Sequence, residues 1–254
     1  MSNQLTTKKY WDPLWKGTSL PVIASPGNDI GKKLEDILPK SDKISFLEVG
    51  CSPGGWMAYF NKHFAYSVNG IEYIKEAADI TKQNMELQKI QANVLNLDFL
   101  KAEIPPASYN IVFSAGFIEH FEDLEWVVGK ICLSAKQYVI TLVPNLYGLN
   151  GFICKVTTPK VFSAHKRIDI NLLRQLHERA GLNTVFCNYV RGIKLIMPAV
   201  TTGGFFFGHR KLAYIINLPF RILNYISRKF SIYTNIYPRT KYLSSTLMYI
   251  GAKA

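Results

Sequence analysis

Phe46-Leu-Glu-Val-Gly-Cys-Ser-Pro-Gly-Gly55 is a short apolar run that breaks into a glycine- and proline-rich turn. Ile44 to Val49 has the length and apolar density of a buried strand. Gly50 allows a tight turn because glycine tolerates positive φ. Gly54 and Gly55 would let a ligand approach the backbone, and a helix starting there would aim free N–H groups at it. Glu48, at the strand end, can receive an amino group. Alone, the loop is equally an ordinary turn, since an isolated glycine motif is weak.

The surrounding chain repeats the pattern. Strand-like runs stand at 66–71, 92–97, 109–114 and 138–143, separated by helical stretches at 55–64, 75–90 and 124–133. A helix at 29–39 precedes them, and a helix at 171–180 with strands at 183–190 and 247–252 follows. Strands alternating with helices predict βαβ units and a parallel sheet covered on both faces. Ligands of such sheets bind at the carboxyl ends of the strands.

The strand ends are where the polar residues collect. The second strand ends at Glu72 and Tyr73, with Glu72 lying 22 residues after Gly50, the separation at which βαβ nucleotide sites place a ribose-binding carboxylate. The third ends at Asp98 and Phe99, an acid for an adenine amino group and a ring beside the base. The fourth ends in Ser114-Ala-Gly-Phe-Ile-Glu-His120, small residues followed by a polar pair. No one of these acids means much alone; four strand ends in order do.

On these residues the chain resembles the class I S-adenosylmethionine-dependent methyltransferases, over roughly residues 8–190. Glu48, Gly50 and Gly54 match the family's acid and glycine loop, with Ser52 in place of its middle glycine. Glu72 matches the ribose acid and Asp98 the adenine-side acid. Ser114 to Phe121 is similar to a segment of the small-molecule and surface-polysaccharide branch, and Tyr10-Trp11-Asp12 resembles the aromatic segment that closes over the cofactor there. The resemblance implies an α/β Rossmann-like fold, a seven-stranded, mostly parallel sheet in the order 3-2-1-4-5-7-6 with helices on both faces. It implies S-adenosylmethionine as cofactor, held by Tyr10, Trp11, Glu48, Gly50, Cys51, Ser52, Gly54, Gly55, Trp56, Glu72, Tyr73, Asp98, Phe99, Ser114, Ala115, Gly116 and His120. Val143-Pro144-Asn145 resembles a substrate-side turn. For an oxygen acceptor the reaction gains from a base of near-neutral pKa, which makes His120 and His165 the candidate catalytic residues.

Charge is unevenly spread. Residues 1–150 carry 14 Lys/Arg against 16 Asp/Glu, a balance of −2, and residues 151–254 carry 16 against 2, a balance of +14, so all the excess of the net +12 lies in the second part. Such asymmetry points to an anionic partner. The stretch about 191–241 mixes bulky apolar residues with Arg and Lys, and Pro219 is expected to split it into two short helices. It reads as a lid or homodimer face, a segment lying on an anionic membrane, or, behind these, a nucleic-acid contact.

The four cysteines stand apart, and neither a disulfide framework nor a metal set stands out. No uncharged apolar run is long enough to span a membrane, and residues 1–10 do not read as a signal peptide. The expectation is a single methyltransferase domain over 1–254, cytoplasmic or peripheral to the inner membrane face. Residues 1–28 would close over the cofactor and about 191–241 would serve as a substrate or lid insertion. The acceptor would be a small molecule, a glycan or a lipid-linked group. The alternatives are an RNA methyltransferase and a cofactor-binding module without methyl transfer.

Overall fold

The computed structural model describes residues 4–6, 11, 18–195 and 210–253. Seven strands form one sheet: β1 (Ser45–Val49), β2 (Ser67–Ile71), β3 (Ala92–Leu95), β4 (Tyr109–Ala115), β5 (Ala135–Pro144), β6 (Leu182–Val190) and β7 (Thr246–Lys253). Their order is β3-β2-β1-β4-β5-β7-β6, as expected. The first five run parallel, and β7 returns antiparallel between β5 and β6.

Helices α1 (Asn28–Ile37), α2 (Gly55–Phe64), α3 (Lys75–Leu87), α4 (Leu124–Ser134), α5 (Gly148–Thr157), α6 (Pro159–Ser163), α7 (Ile170–Arg179) and α8 (Arg210–Thr234), with a single 3-10 turn at Ile118–His120, complete the described elements. Adjacent strand residues point to opposite faces, so β1 serves two cores. Phe46 joins Ile30, Leu34, Phe60, Phe64 and Tyr66 on one side. Leu47 and Val49 join Val112, Val127, Ile131, Val139 and Leu173 on the other. Strands buried on both faces need apolar residues at nearly every position, which is why β1 and β4 read as unbroken runs.

The loops at the carboxyl edge stay bonded to the next strand. Gly50 N–H donates to the Ile71 carbonyl at 2.9 Å, Glu72 N–H to Leu95 at 3.0 Å and Gly116 N–H to Leu142 at 2.9 Å. The polar strand ends are thus held in one row by backbone bonds.

One expectation about the C-terminal part needs correction. Pro219 does not split the helix: α8 runs continuously over 25 residues. A proline removes a single ladder bond. The turns around it are held by Asn224, whose side chain accepts from Leu195 N–H and donates to Leu195 C=O, both at 2.8 Å. Leu223 and Ile226 are exposed. The half-buried face of α8 contains Phe220, Asn224 and Ser227, and Ser231 on it is buried.

His177 is fully buried on α7, stacked on Tyr249 with ring centroids 4.0 Å apart. Its Nδ1–H donates to Leu173 C=O at 2.8 Å and its Nε2 meets Thr141 Oγ1 at 2.9 Å. Burial lowers its pKa to about 4, opposed by the Leu173 carbonyl. Burial pushes the Tyr249 phenol up to about 12, so it stays neutral beside the ring. A histidine with a depressed folded pKa stabilises above its unfolded value of roughly 6.5 and loses that contribution as the pH falls toward about 4. We expect the urea midpoint to fall between pH 6.5 and 4, with His177 supplying roughly 2–3 kcal/mol of the loss. His177→Gln should flatten that slope, and an unchanged slope would exclude His177 as its source.

Candidate cofactor cleft

The carboxyl edge opens into a cleft between the ends of β1, β2, β3 and β4. Trp11, Gly50, Ser52, Glu72, Tyr73, Asp98, Phe99, Ala115, Gly116 and His120 all line it, so ten of the residues singled out in the sequence meet in one place. Gln4, Thr6, Ile71, Ile74, Leu97, Phe117 and Phe121 also line it. Sequence reading did not single out the apolar ones among them, because nothing separates such residues from core residues in a linear pattern. Tyr10 lies outside the described residues.

Gly50 has φ +71°, and a Cβ on it would stand 3.0 Å from the Phe117 ring. Gly116, at φ +67°, would meet only Glu119 Oε1 at 3.7 Å, so it leaves open space on the cleft. Glu72 is buried, and its Oε1 accepts from Ile74 N–H at 3.0 Å, beside the first turn of α3. Burial raises its pKa, and the amides of Ile74, Ser52 and Tyr73 oppose the rise. Asp98 Oδ1 accepts from Leu100 N–H at 3.1 Å, which fixes the turn that brings Phe99 to the cleft. Burial also raises the Glu48 carboxyl, in part against a bond from Met57 N–H at 3.1 Å.

Several candidates stand behind the cleft. A Cβ on Gly70 would meet Cys51 Sγ at 2.6 Å, which puts that thiol in the core; Cys51 does not line the cleft. Trp56 packs on Phe113, with centroids 4.9 Å apart. Ser114 is buried, and its Oγ has no hydrogen-bond partner among the described residues. The idea that Gly54 and Gly55 leave room for a ligand is corrected: protein fills that space. A Cβ on Gly54 would strike Met85 and Thr81 at 2.9 Å, and one on Gly55 would meet Ala24 N at 3.2 Å. These glycines let α2 pack against α3 and residues 22–24.

The N-terminus reaches the same edge. Gln4 bridges to Phe121, and Leu5 N–H donates to His120 C=O at 2.8 Å. The Trp11 ring meets His120 edge-on at 4.8 Å. The His120 and His165 rings lie 4.4 Å apart, although 45 residues separate them in the chain. Burial, with His165 next, lowers the His120 pKa to about 3, opposed by the Ala164 and Gly116 carbonyls. Burial lowers His165 too, and it pushes Glu119 up to about 8. Asn145, placed in the sequence on a substrate-side turn, is buried and donates to the carbonyls of Lys241 and Ser244 at 2.8 Å each.

The residues fit an adenosyl group bearing a charged tail. Two carboxylates, Glu72 and Asp98, stand among the apolar walls of Leu97, Phe99 and Phe117, and Gly116 leaves the space a side chain would occupy.

Residues 46–134 match the family model described as methyltransferase domain. No curated protein matches the chain. Among solved structures, the chain is similar to geranyl diphosphate C-methyltransferase from Streptomyces coelicolor A3(2), solved with Mg2+, geranyl diphosphate and S-adenosylhomocysteine. The identity is 11% and the TM-score 0.58, over 88% of this chain and 78% of that one. It is also similar to Haemonchus contortus phosphoethanolamine N-methyltransferase 2, at 12% identity and TM-score 0.60, over 97% of this chain and 58% of that one. A third is the Haloferax volcanii complex of the Trm112 activator with a putative methyltransferase, at 13% and 0.57, over 87% and 88%. At these identities the likeness is one of fold.

Replacing Glu72 by Gln removes a charged acceptor, a change of about 1.5–3 kcal/mol. Calorimetry with S-adenosylhomocysteine should then show affinity weakened roughly 10- to 100-fold; an unchanged Kd would remove Glu72 from the ligand's contacts. The matched segment contains the loop at Gly50, Glu72, Asp98 and Gly116, the residues that form the cleft in this fold, so residues 46–134 are similar to a methyltransferase domain in both sequence and fold.

Proposed function

We propose that the enzyme methylates an anionic, amphipathic small molecule, a lipid-linked or glycan acceptor met at a membrane surface. One observation carries this reading: α8 is amphipathic with its apolar side outward. Ile215, Leu218, Ile222, Ile226, Phe230 and Tyr233 are all exposed, from 44% to 92%, and fall within one broad face at helical spacing. The opposite face, with Asn224, Ser227 and Ser231, is turned to the protein. Hydrophobic burial normally orders these faces the other way. Lys229 lies on the outward face, while Arg221 and Arg228 stand on the other side and line a groove with Asn224, Ser227 and Ser231. The +14 excess of residues 151–254 supports an anionic partner. Among the described residues no helix is long and apolar enough to cross a membrane, so the contact would be with the surface. Phosphorylated acceptors figure in the names of two proteins of similar fold, and they belong to the same chemical class.

When bound, the cofactor supplies an electrophilic methyl group with a good leaving thioether. The protein's part is alignment and exclusion of water. In this reading residues 1–28 close over the cofactor, with Gln4, Thr6 and Trp11 already at the cleft. Residues 191–241 carry the acceptor side. His120 and His165 face the acceptor and orient its nucleophile. With their basicity lowered by burial, both histidines would act by orienting the acceptor through a hydrogen bond, and His120→Ala and His165→Ala should each lower kcat with the true acceptor about 10-fold. Two near-normal values would exclude a histidine from that step.

The membrane contact is tested by flotation with phosphatidylglycerol vesicles at low salt. We expect the protein to float with them, to stay down with phosphatidylcholine alone, and to lose binding at least tenfold in Ile222→Glu/Ile226→Glu. Absence of flotation at low salt would overturn the membrane reading. A mobility shift of RNA at physiological salt would favour the RNA methyltransferase instead.

A further inference from the structure

Glu119, His120 and His165 bring one ligand atom each to within 4.8 Å of one another, a grouping the sequence did not suggest. Glu119 is 1% exposed, and its Oε2 has no hydrogen-bond partner among the described residues. A buried carboxylate oxygen without a donor is costly unless something else occupies its lone pairs. Each imidazole faces a backbone carbonyl. Nδ1 of His120 meets Ala164 C=O at 3.3 Å, and Nδ1 of His165 meets Val161 C=O at 2.5 Å. A carbonyl only accepts, so in His165 Nδ1 carries the hydrogen and Nε2 keeps its lone pair. That is how backbone carbonyls fix the tautomer of a ligating histidine. The His120 ring faces two carbonyls, of Ala164 and Gly116, and would ligate a metal ion by giving up the one at Gly116.

The frame that carries the three is tied together. Lys166 N–H donates to Glu119 C=O at 2.7 Å, which pins the residue after His165 to the turn that carries the other two. Leu5 N–H on the His120 carbonyl holds that turn from the other side.

We propose that Glu119, His120 and His165 form a binding site for a divalent transition-metal ion of the zinc, cobalt, iron or manganese type. Two imidazoles and one carboxylate suit these ions better than magnesium or calcium, which prefer all-oxygen shells. Ligand bonds of about 2.0–2.2 Å require ligand atoms roughly 3–3.5 Å apart, so binding draws the three side chains in by about 1 Å. Three protein ligands leave coordination positions open. Because His120 also lines the cofactor cleft, those positions lie one side chain from the donor's site. An acceptor hydroxyl, phenol or carboxylate is the class of group they would take. The proposal rests on this geometry and not on the membrane reading of α8.

The test uses tag-free protein stripped with a chelator and titrated with cobalt chloride. Visible d–d absorption should rise to one equivalent with a low-micromolar midpoint, and Glu119→Gln and His165→Gln should each weaken binding by roughly 100-fold. S-adenosylhomocysteine calorimetry on the same samples checks that the variants fold. If one variant does not fold, the wild-type titration and the other variant still decide. No absorption at millimolar cobalt, or the same binding curve in both variants, would overturn the site. Intact S-adenosylhomocysteine binding alongside that result would leave the methyltransferase assignment standing.

Discussion

The chain leaves β1 at Gly50 with φ +71°, a conformation side chains disfavour, and a Cβ there would crowd the Phe117 ring at 3.0 Å. Phe117 follows β4, the strand that pairs with β1. The same glycine donates its N–H to Ile71 at the end of β2. One residue therefore locks three strand ends together. The rest of the cleft is arranged from that point, with Glu72 one residue beyond the bonded carbonyl and Gly116 one residue before the ring. A side chain at Gly50 would meet both crowding and an unfavourable backbone conformation. The donor site thus depends on a backbone contact as much as on any acid.

This explains how much of the site was legible in the sequence. The fold was, because strands buried on both faces leave a strong apolar signal and each ends in a polar punctuation mark. Glu72, Asp98 and the 114–120 turn were legible as positions after strands. Side-chain direction was not. Cys51 and Ser52 are neighbours in the same loop, yet Cys51 fills the core against Gly70 while Ser52 faces the cleft. Gly54 and Gly55 were read as room for a ligand, but a glycine pattern does not say whether ligand or protein takes the space. The meeting of His120 with His165 was invisible for another reason: it depends on how α5 and α6 lead the chain back after β5, and neither helix was anticipated.

The outward face of α8 marks a limit of periodicity itself. Helical spacing shows that apolar and polar residues occupy opposite faces. It cannot show which face turns inward; that inference borrows the usual rule of hydrophobic burial. Here Asn224 bonds both backbone groups of Leu195, and the polar stripe takes the inside. A helix arranged this way has its apolar surface free for a partner.

Val190 and Thr246 are opposite rungs of the β6–β7 ladder, so everything between them leaves and rejoins the sheet at one point. Ser244 Oγ bonds Gly192 C=O at 2.7 Å and Lys194 N–H bonds Leu243 C=O at 3.1 Å, stitching the two ends together like the base of a hairpin. Topologically the segment between them is an enlarged turn. Closing a longer loop costs only slowly more with length. Segments of other lengths and chemistries can therefore be exchanged at this rung while strand order and the donor cleft stay as they are. The sheet acts as a fixed chassis, and whatever the segment binds can change at a single joint without disturbing it.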